Sequence, residues 1–165
     1  MKILSDYLGK YEMKKDWSIG LMTGTVNDGN IDIAAIRTDG EKIIEFGPYE
    51  LFPYENKKIR QLVFETYEAA KTWNFQGPEP QIFSIVEKLI TIEQSEAVNK
   101  FISKNNIHRE SIFSIGFHGQ TILHRPPNNI EKFGKTRQLG DGNMMSNYLK
   151  LPVVFDFRSN DVANG

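Results

Sequence analysis

The 165-residue sequence contains no cysteine. Disulfides, thiolate catalysis and zinc–thiolate sites are therefore excluded, and a reducing compartment is compatible with the chain. No run of about 18 apolar residues occurs, so no transmembrane helix is predicted. The chain also lacks an excess of charge, because 20 basic and 21 acidic residues leave a net charge of −1. Without a basic stripe, nucleic acid is not expected as a main partner.

What the chain does contain is the composition of a globular domain, with 39% hydrophobic and 25% charged residues. This length suits one domain or one large lobe with a substantial core. Apolar runs predict strands over about 17–22 and 31–38, and a tight turn at Asp39-Gly40 leads into a third strand. Pro48 and Pro53 interrupt that third strand, which is typical of an edge strand or a bent strand. The chain is thus predicted to open with an antiparallel three-stranded meander.

Apolar residues then recur at helical spacing and predict two helices, over about 59–73 and after Pro80. The run 111–117 predicts a buried strand parallel to the first, because a helical crossover permits parallel pairing. A short return, a short strand, a helix and a last strand at 153–155 follow. This order is that of a ribonuclease H-like half-domain: an α/β lobe with a mixed sheet, in which the meander is followed by parallel crossovers.

Three polar clusters follow predicted strands: Thr23 to Asp28, His118 to Gln120, and Asp156 to Asp161. In open α/β sheets, ligands bind beyond the carboxyl ends of the parallel strands. A packing requirement would not concentrate His, Gln, Asp and Arg at those ends. The clusters therefore predict a single binding site.

Each cluster also has a plainer interpretation. The first loop has more glycines and hydroxyls than a hairpin needs, which favours backbone contacts to an oxyanion, but it is also compatible with an ordinary polar turn. His118 is compatible with a satisfied core or loop histidine. Asp156 and Asp161 are compatible with a helix cap and a partner for Arg158, or with one of them acting as a general base.

The remaining polar motifs are similarly open. His124-Arg125 fits a solvated turn or a carboxylate clamp, and Gly140-Asp141-Gly142 fits a helix-entry turn or an anion contact. The two histidines of this region have poor spacing for a metal, so no protein cage for a metal is predicted. A Mg²⁺ ion carried by a nucleotide needs few protein ligands, and Asp28 is a candidate.

With these motifs in hand, the sequence resembles the anhydro-N-acetylmuramic acid kinases, a family of the sugar kinase–actin–Hsp70 superfamily. The resemblance begins near Trp17 and is carried by four ordered motifs: Gly20-Leu21-Met22-Thr23-Gly24-Thr25 with Asp28-Gly29; Gly116-Phe117-His118-Gly119-Gln120-Thr121 with His124-Arg125-Pro126; Gln138-Leu139-Gly140-Asp141-Gly142; and Val153-Val154-Phe155-Asp156-Phe157-Arg158 with Asp161-Val162-Ala163. Together they are specific, whereas any one of them alone would not be.

The resemblance implies an actin-like ATPase lobe and an enzyme of cell-wall recycling. Such a kinase opens the 1,6-anhydro ring of anhydro-N-acetylmuramic acid with water and transfers the γ-phosphate of ATP to O6. It implies ATP and Mg²⁺ as cofactors, a cytoplasmic location and no membrane partner, and it is compatible with a homodimer of the full-length protein. By motif position, the residues implied are Asp161 as catalytic base; Gly24, Thr25, Asp28 and Gly29 at the phosphates and Mg²⁺; and His118, Gln120 and Arg158 near the sugar.

Two departures from the family pattern affect these expectations. The first loop has one more residue before Ile31 than most members. The family also continues with a Gly-Gln-Gly-Ala-Pro segment and a second lobe, so residues 1–165 are expected to be the first lobe alone, with the second lobe absent. The chain alone is then predicted to be inactive, and a catalytically inactive fragment that binds a sugar or a partner is the alternative. A ribonuclease H-like nuclease is disfavoured, because the first strand carries no carboxylate.

Overall fold

The computed structural model describes residues 17–23, 28–127 and 134–164. These residues form seven strands: β1 (Trp17–Met22), β2 (Asn30–Thr38), β3 (Ile43–Pro53), β4 (Ile112–Phe117), β5 (Gln120–Arg125), β6 (Lys135–Leu139) and β7 (Val153–Phe155). The α-helices are α1 (Ile59–Trp73), α2 (Gln81–Lys104), α3 (Gly142–Leu149) and α4 (Ser159–Asn164), and a short 3₁₀ turn spans Arg109–Ser111.

The main sheet has five strands in the order β3-β2-β1-β4-β7. Strands β1, β2 and β3 pair antiparallel, while β1, β4 and β7 pair parallel. Strands β5 and β6 form a separate antiparallel pair. The predicted mixed α/β lobe, a meander followed by parallel crossovers, is thereby confirmed.

The structure settles two details that the sequence left open. The helix after Pro80 is one uninterrupted helix of 24 residues, because buried positions continue from Phe83 to Ile102 without a Gly or Pro to break it. The prolines within β3 do not divide the strand. It tolerates them at the sheet edge, where its pairing with β2 shows register irregularities at two points.

The hydrophobic core lies between one face of the main sheet and the helices. Alternate residues of β1 and β2 point into it, among them Ile19, Ile33 and Ala35, as the period of two in a strand requires. Helix α1 contributes Ile59 and Val63 at a helical spacing. The core therefore fixes the sheet from one side and leaves the carboxyl ends of β1, β4 and β7 free to carry polar residues. In the described parts of the chain, no helix combines the length and apolar character that crossing a bilayer requires.

Candidate active site

The ends of the parallel strands β1 and β4 are joined by a hydrogen bond. Thr23 follows β1, is buried, and donates its hydroxyl proton to the carbonyl oxygen of Gly119 at 3.2 Å. Gly119 follows β4 in the left-handed region at φ +69°, and a Cβ there would lie 2.4 Å from the carbonyl oxygen of Leu139. Only glycine fits this position, because both the dihedral angle and the space exclude a side chain. The predicted convergence of the first two clusters is thus present at Thr23 and Gly119.

The third cluster meets the second through Arg158. This side chain donates from Nε to Nε2 of His118 at 3.2 Å and so joins the segment after β7 to the segment after β4. The other ring nitrogen, Nδ1, lies 2.9 Å from the carbonyl oxygen of Gly119. Since Nε2 accepts, we assign the proton of a neutral imidazole to Nδ1, which then donates to Gly119. His118 is therefore held between a guanidinium and a backbone carbonyl, and this fixes the orientation of its ring.

The predicted phosphate loop is only partly described. Gly24 and Thr25 lie outside the described residues. Asp28 is exposed, and its Oδ1 accepts from the backbone N–H of Asn30 at 2.9 Å, which is an Asx turn at the start of β2. Gly29 has φ +91°, and its carbonyl accepts from the N–H of Tyr54 at 2.9 Å. Both residues thus have structural roles in the turn, whereas their predicted contacts to phosphate or Mg²⁺ remain predictions.

Gln120 lies at the base of β5 and is only 3% exposed. Its Nε2 donates to the hydroxyl of Tyr67 on α1 at 2.6 Å. Burial raises the pKa of that hydroxyl, and the bond from Gln120 only partly opposes the shift. The amide therefore ties the strand to the helix, a role that the sequence reasoning missed. Its predicted sugar contact remains a prediction.

Replacing Tyr67 with phenylalanine should lower the free energy of unfolding by about 1–3 kcal/mol, because the buried amide of Gln120 loses an acceptor. Urea denaturation followed by circular dichroism measures this. Tyr148→Phe is the control: Tyr148 is 46% exposed, so the change in unfolding free energy should stay within about 0.5 kcal/mol. Equal effects of the two substitutions would contradict the role assigned to the Tyr67 hydroxyl.

A cavity of about 230 Å³ opens beside His118. Its walls come from the end of β4, from β6 and from the segment after β7, and they include His118, Arg137 and Asp156. Asp156 is exposed, has a positive φ of 58°, and accepts a hydrogen bond from the Ser159 hydroxyl at the start of α4. Asp161 lies in the first turn of α4, is exposed, and is not among the lining residues. The sequence did not decide between Asp156 and Asp161 as the general base. Of the two, Asp156 is the one that lies beside His118.

One wall of the cavity is held by an ion-pair network that the sequence reasoning missed. Arg137 on β6 donates to both carboxylate oxygens of Glu79 at 2.8 and 2.9 Å, and to Glu87 on α2 at 2.9 Å. Burial by itself would lower the pKa of Arg137, but the two carboxylates more than offset it, so the pKa is raised. Glu87 Oε1 also accepts from the backbone N–H of Gly140 at 3.1 Å. The partners lie 50 and 58 residues apart, so no local pattern indicates the network.

Helix α3 is fixed in the same region. Asp141 is its N-cap and accepts from the N–H of Met144 at 2.9 Å, while the N–H of Asp141 donates to the Thr91 hydroxyl on α2 at 3.0 Å. This capping supports the interpretation of Gly140-Asp141-Gly142 as a helix-entry turn. With Glu87, Thr91 anchors this turn on α2.

Replacing Glu87 with glutamine should destabilise the fold by about 1–3 kcal/mol, because Arg137 keeps its charge in a partly buried site but loses one carboxylate. Glu68→Gln removes an exposed helical ion pair with Lys71 and should cost at most about 0.5 kcal/mol. Urea denaturation of both variants tests the difference. A Glu87 variant as stable as the Glu68 variant would show that the network does not hold the wall.

Among the described residues, no group of three or more His, Asp or Glu side chains is placed to hold a metal ion. The cavity is instead lined by the oriented imidazole of His118, the guanidinium of Arg137 and one exposed carboxylate, that of Asp156. Arg158 is joined to this group through its bond to His118. Such groups bind a polar ligand, orient it and exchange a proton with it.

Comparison with known proteins gives a consistent result. The sequence model of the family described as anhydro-N-acetylmuramic acid kinase matches residues 16–165. Curated relatives of that name come from Rhizobium rhizogenes (52% identical), Mesorhizobium japonicum (50%) and Brucella anthropi (48%), each over 153 residues, or 93% of this chain. The same match covers 41% of each relative, so the chain spans about two-fifths of their length. On the extent of the family match and these identities, the chain belongs to the anhydro-N-acetylmuramic acid kinase family.

Proposed function

We propose that the chain is the first lobe, residues 1–165, of an ATP-dependent kinase acting on anhydro-N-acetylmuramic acid. Water adds its hydroxyl to C1, the bond between C1 and O6 breaks, and O6 receives the γ-phosphoryl group, which leaves ADP and N-acetylmuramic acid 6-phosphate. The observation that carries the proposal is the convergence of Thr23, His118 and Arg158 at the carboxyl ends of the parallel strands in a chain that belongs to this family.

Phosphoryl transfer suits a site of this kind. The reaction mainly requires the protein to position the reactants and to neutralise charge, so no covalent nucleophile is needed. We assign the ATP phosphates to the loop containing Gly24, Thr25 and Gly29. Asp28 supports this assignment because its side chain is exposed. Its Oδ1 accepts from the N–H of Asn30, so Oδ2 is the oxygen we assign to the nucleotide complex.

A Mg²⁺ ion fits these residues only as part of the nucleotide complex. The described residues provide single carboxylates and not a cluster of three, and Mg²⁺ commonly keeps several waters and binds through one or two carboxylates and the substrate phosphates. When bound, the ion would neutralise phosphate charge. Asp28 is the side chain we assign to it.

On the sugar side, we assign His118, Gln120 and Arg158 to binding and Asp161 to proton transfer. The guanidinium of Arg158 can donate to a sugar oxygen while it keeps the His118 ring oriented. Asp161 is exposed near this edge of the sheet and would accept the proton of the water that attacks C1. The proposed partners are thus ATP and a small amino sugar, and the proposed location is the cytoplasm.

A second candidate is a non-catalytic fragment that binds the sugar or a partner. The coverage of only 41% of the relatives favours it, because the larger part of each relative lies outside the match. We infer that the 165-residue chain alone does not turn over substrate, since the resemblance to the superfamily implies that two lobes close over the substrate.

The experiment that tests the proposal compares this chain with an extended chain. The extended chain carries, after residue 165, the part of the Rhizobium rhizogenes relative that lies beyond the match. With ATP, Mg²⁺ and anhydro-N-acetylmuramic acid, we expect the extended chain to form N-acetylmuramic acid 6-phosphate, detected by mass spectrometry, and the shorter chain to form none. If the shorter chain forms product, the inference that it is inactive on its own is wrong. If the extended chain folds but forms no product, the proposed reaction is wrong.

A further inference from the structure

The exit of the first loop is bound to the segment that follows β3. The N–H of Tyr54 donates to the carbonyl oxygen of Gly29 at 2.9 Å, which continues the pairing of β2 with β3 one step beyond Asn30 and Pro53. Asp28 precedes Gly29 directly, and its Oδ1 accepts from the N–H of Asn30 at 2.9 Å. The place of the Asp28 carboxylate therefore depends on where Tyr54 lies.

Tyr54 is fixed in turn by a buried side chain of α2. Tyr54 is 7% exposed and Gln94 only 1%, and Nε2 of Gln94 donates to the Tyr54 hydroxyl at 2.9 Å. Burial raises the pKa of this hydroxyl, and the bond from Gln94 only partly opposes the shift, so the phenol stays neutral. Because a buried amide needs its hydrogen-bond partner, this bond holds the ring of Tyr54 in one orientation.

The residue beside Gln94 on α2 holds the backbone of the same segment. Glu93 accepts from the N–H of Glu55 through Oε2 at 2.8 Å and from the N–H of Asn56 through Oε1 at 3.2 Å. Both oxygens of one carboxylate are thus used by two successive peptide groups directly after Tyr54. Hydrogen bonds to an ionised acceptor are about twice as strong as neutral ones, so Glu93 is a firm anchor for this segment.

The start of α1 provides a second contact with the loop exit. The carbonyl oxygen of Asn56 accepts from the N–H of Ile59 at 3.0 Å, so residues 54–60, which we call the bracket segment, turn directly from β3 into α1. Arg60 at the start of α1 lays its stem across Gly29, since a Cβ built on that glycine would lie 2.9 Å from Cδ of Arg60. The bracket segment therefore contacts Gly29 from both of its ends.

We propose that Glu93 is a positioning residue for nucleotide binding, which acts through the bracket segment on Asp28. This inference rests on the proposed function, which assigns Asp28 to the nucleotide complex. The sugar side is held by other contacts, because His118 and Arg158 bond to each other. Loss of the Glu93 carboxylate should therefore weaken nucleotide binding and leave sugar binding unchanged.

The test compares Glu93→Gln with Glu96→Gln in the extended chain described above. Glutamine keeps one acceptor oxygen but turns an NH₂ group toward a peptide N–H, so the bracket segment loses one of its two bonds. Titration calorimetry with ADP and Mg²⁺ should show a dissociation constant raised about tenfold, as for the loss of an outer-shell partner. A titration with anhydro-N-acetylmuramic acid should be unchanged. Glu96, on the same helix, accepts from the exposed Tyr148 hydroxyl at 3.4 Å, and its variant should alter neither constant.

Amide hydrogen exchange in the 165-residue chain provides a second readout that needs neither nucleotide nor sugar. The N–H of Tyr54 should exchange several-fold faster in Glu93→Gln, because its bond to Gly29 opens more often once the bracket segment is released. The rate is compared with that of Ile19 in β1, which corrects for a general loss of stability. In Glu96→Gln the ratio of the two rates should stay as in the unsubstituted chain.

The two measurements separate this inference from the proposed function. Equal Tyr54 exchange with and without Glu93, or equal affinities for ADP, would overturn the positioning role alone. A parallel loss of nucleotide and sugar affinity would also overturn it, since Glu93 would then only stabilise the fold. An unsubstituted extended chain that folds but binds no ADP would overturn the proposed nucleotide site and this role with it. If the extended chain does not fold, the exchange rates in the 165-residue chain still decide whether Glu93 holds Tyr54 against Gly29.

Discussion

Replacing Asp161 with asparagine in the extended chain should leave the fold intact and lower kcat by about 10²–10⁴, the usual contribution of a general base. The carboxylate is exposed, and no hydrogen bond or ion pair joins it to another described residue. Its loss therefore removes no packing, whereas an amide cannot accept the proton of the attacking water. Steady-state kinetics and the thermal midpoint of the variant test this expectation. Because the base acts in the transition state, the effect should fall on kcat with KM nearly unchanged.

Asp156→Asn is the matched control for this experiment. Asparagine tolerates a positive φ such as the 58° of Asp156 and can still accept from Ser159, so the turn before α4 should keep its shape. Most activity should remain in that variant. If instead the Asp161 variant turns over normally and the Asp156 variant does not, the base is the carboxylate that lines the cavity beside His118.

The sheet was predictable because its signals are local. Apolar runs bounded by turn residues identified β1 and β2 within a residue of their bounds, and the change to helical spacing identified α1. The parallel pairing of β4 with β1 followed from the intervening helices, since a crossover of that length permits it. These features depend on periodicity and connection length, both of which a single sequence contains.

The sequence predicted where in the fold the candidate site lies, but not which side chains contact one another there. Three strand ends and their polar residues indicated which edge of the sheet would bind a ligand, and His118 and Arg158 do meet there. The partners of each side chain were not predictable. Arg137 and Glu79 are separated by 58 residues, and the bond from Gln120 to Tyr67 spans 53. Such contacts arise from the packing of α1 and α2 against the β5–β6 pair, which no local pattern encodes.

The face of the main sheet that is turned away from the core was also not predictable from local patterns. The sequence predicts β3 as an edge strand, which accounts for its prolines but not for the exposed rings of Phe46 and Tyr49. Only the register shows that Tyr49 lies in one row with Ala34 and Gly20. An edge strand in water normally carries charge on its outward positions. Exposed apolar residues on such a surface are instead typical of a contact surface.

Replacing Gly119 with alanine should be among the most destabilising substitutions near the site. The positive φ of 69° costs a residue with a Cβ about 1–2 kcal/mol. The new methyl group would also lie 2.4 Å from the Leu139 carbonyl oxygen, and relieving such overpacking costs about 1–3 kcal/mol. The backbone of β6 cannot move away freely, because Arg137 and Gly140 are anchored to α2 through Glu87. Together these effects predict a loss of about 2–5 kcal/mol of unfolding free energy.

Urea denaturation of Gly119→Ala and of Gly20→Ala in the 165-residue chain tests this reasoning. Gly20 is the matched control, because its added methyl group meets no atom within 4 Å and its φ is not positive; its stability should stay equal or rise slightly. Similar midpoints for the two variants would mean that the ends of β4 and β6 are not held as closely as their contact indicates. A selective loss at Gly119 would show that the backbone admits no side chain at this position, where the carbonyl oxygen accepts from both Thr23 and His118.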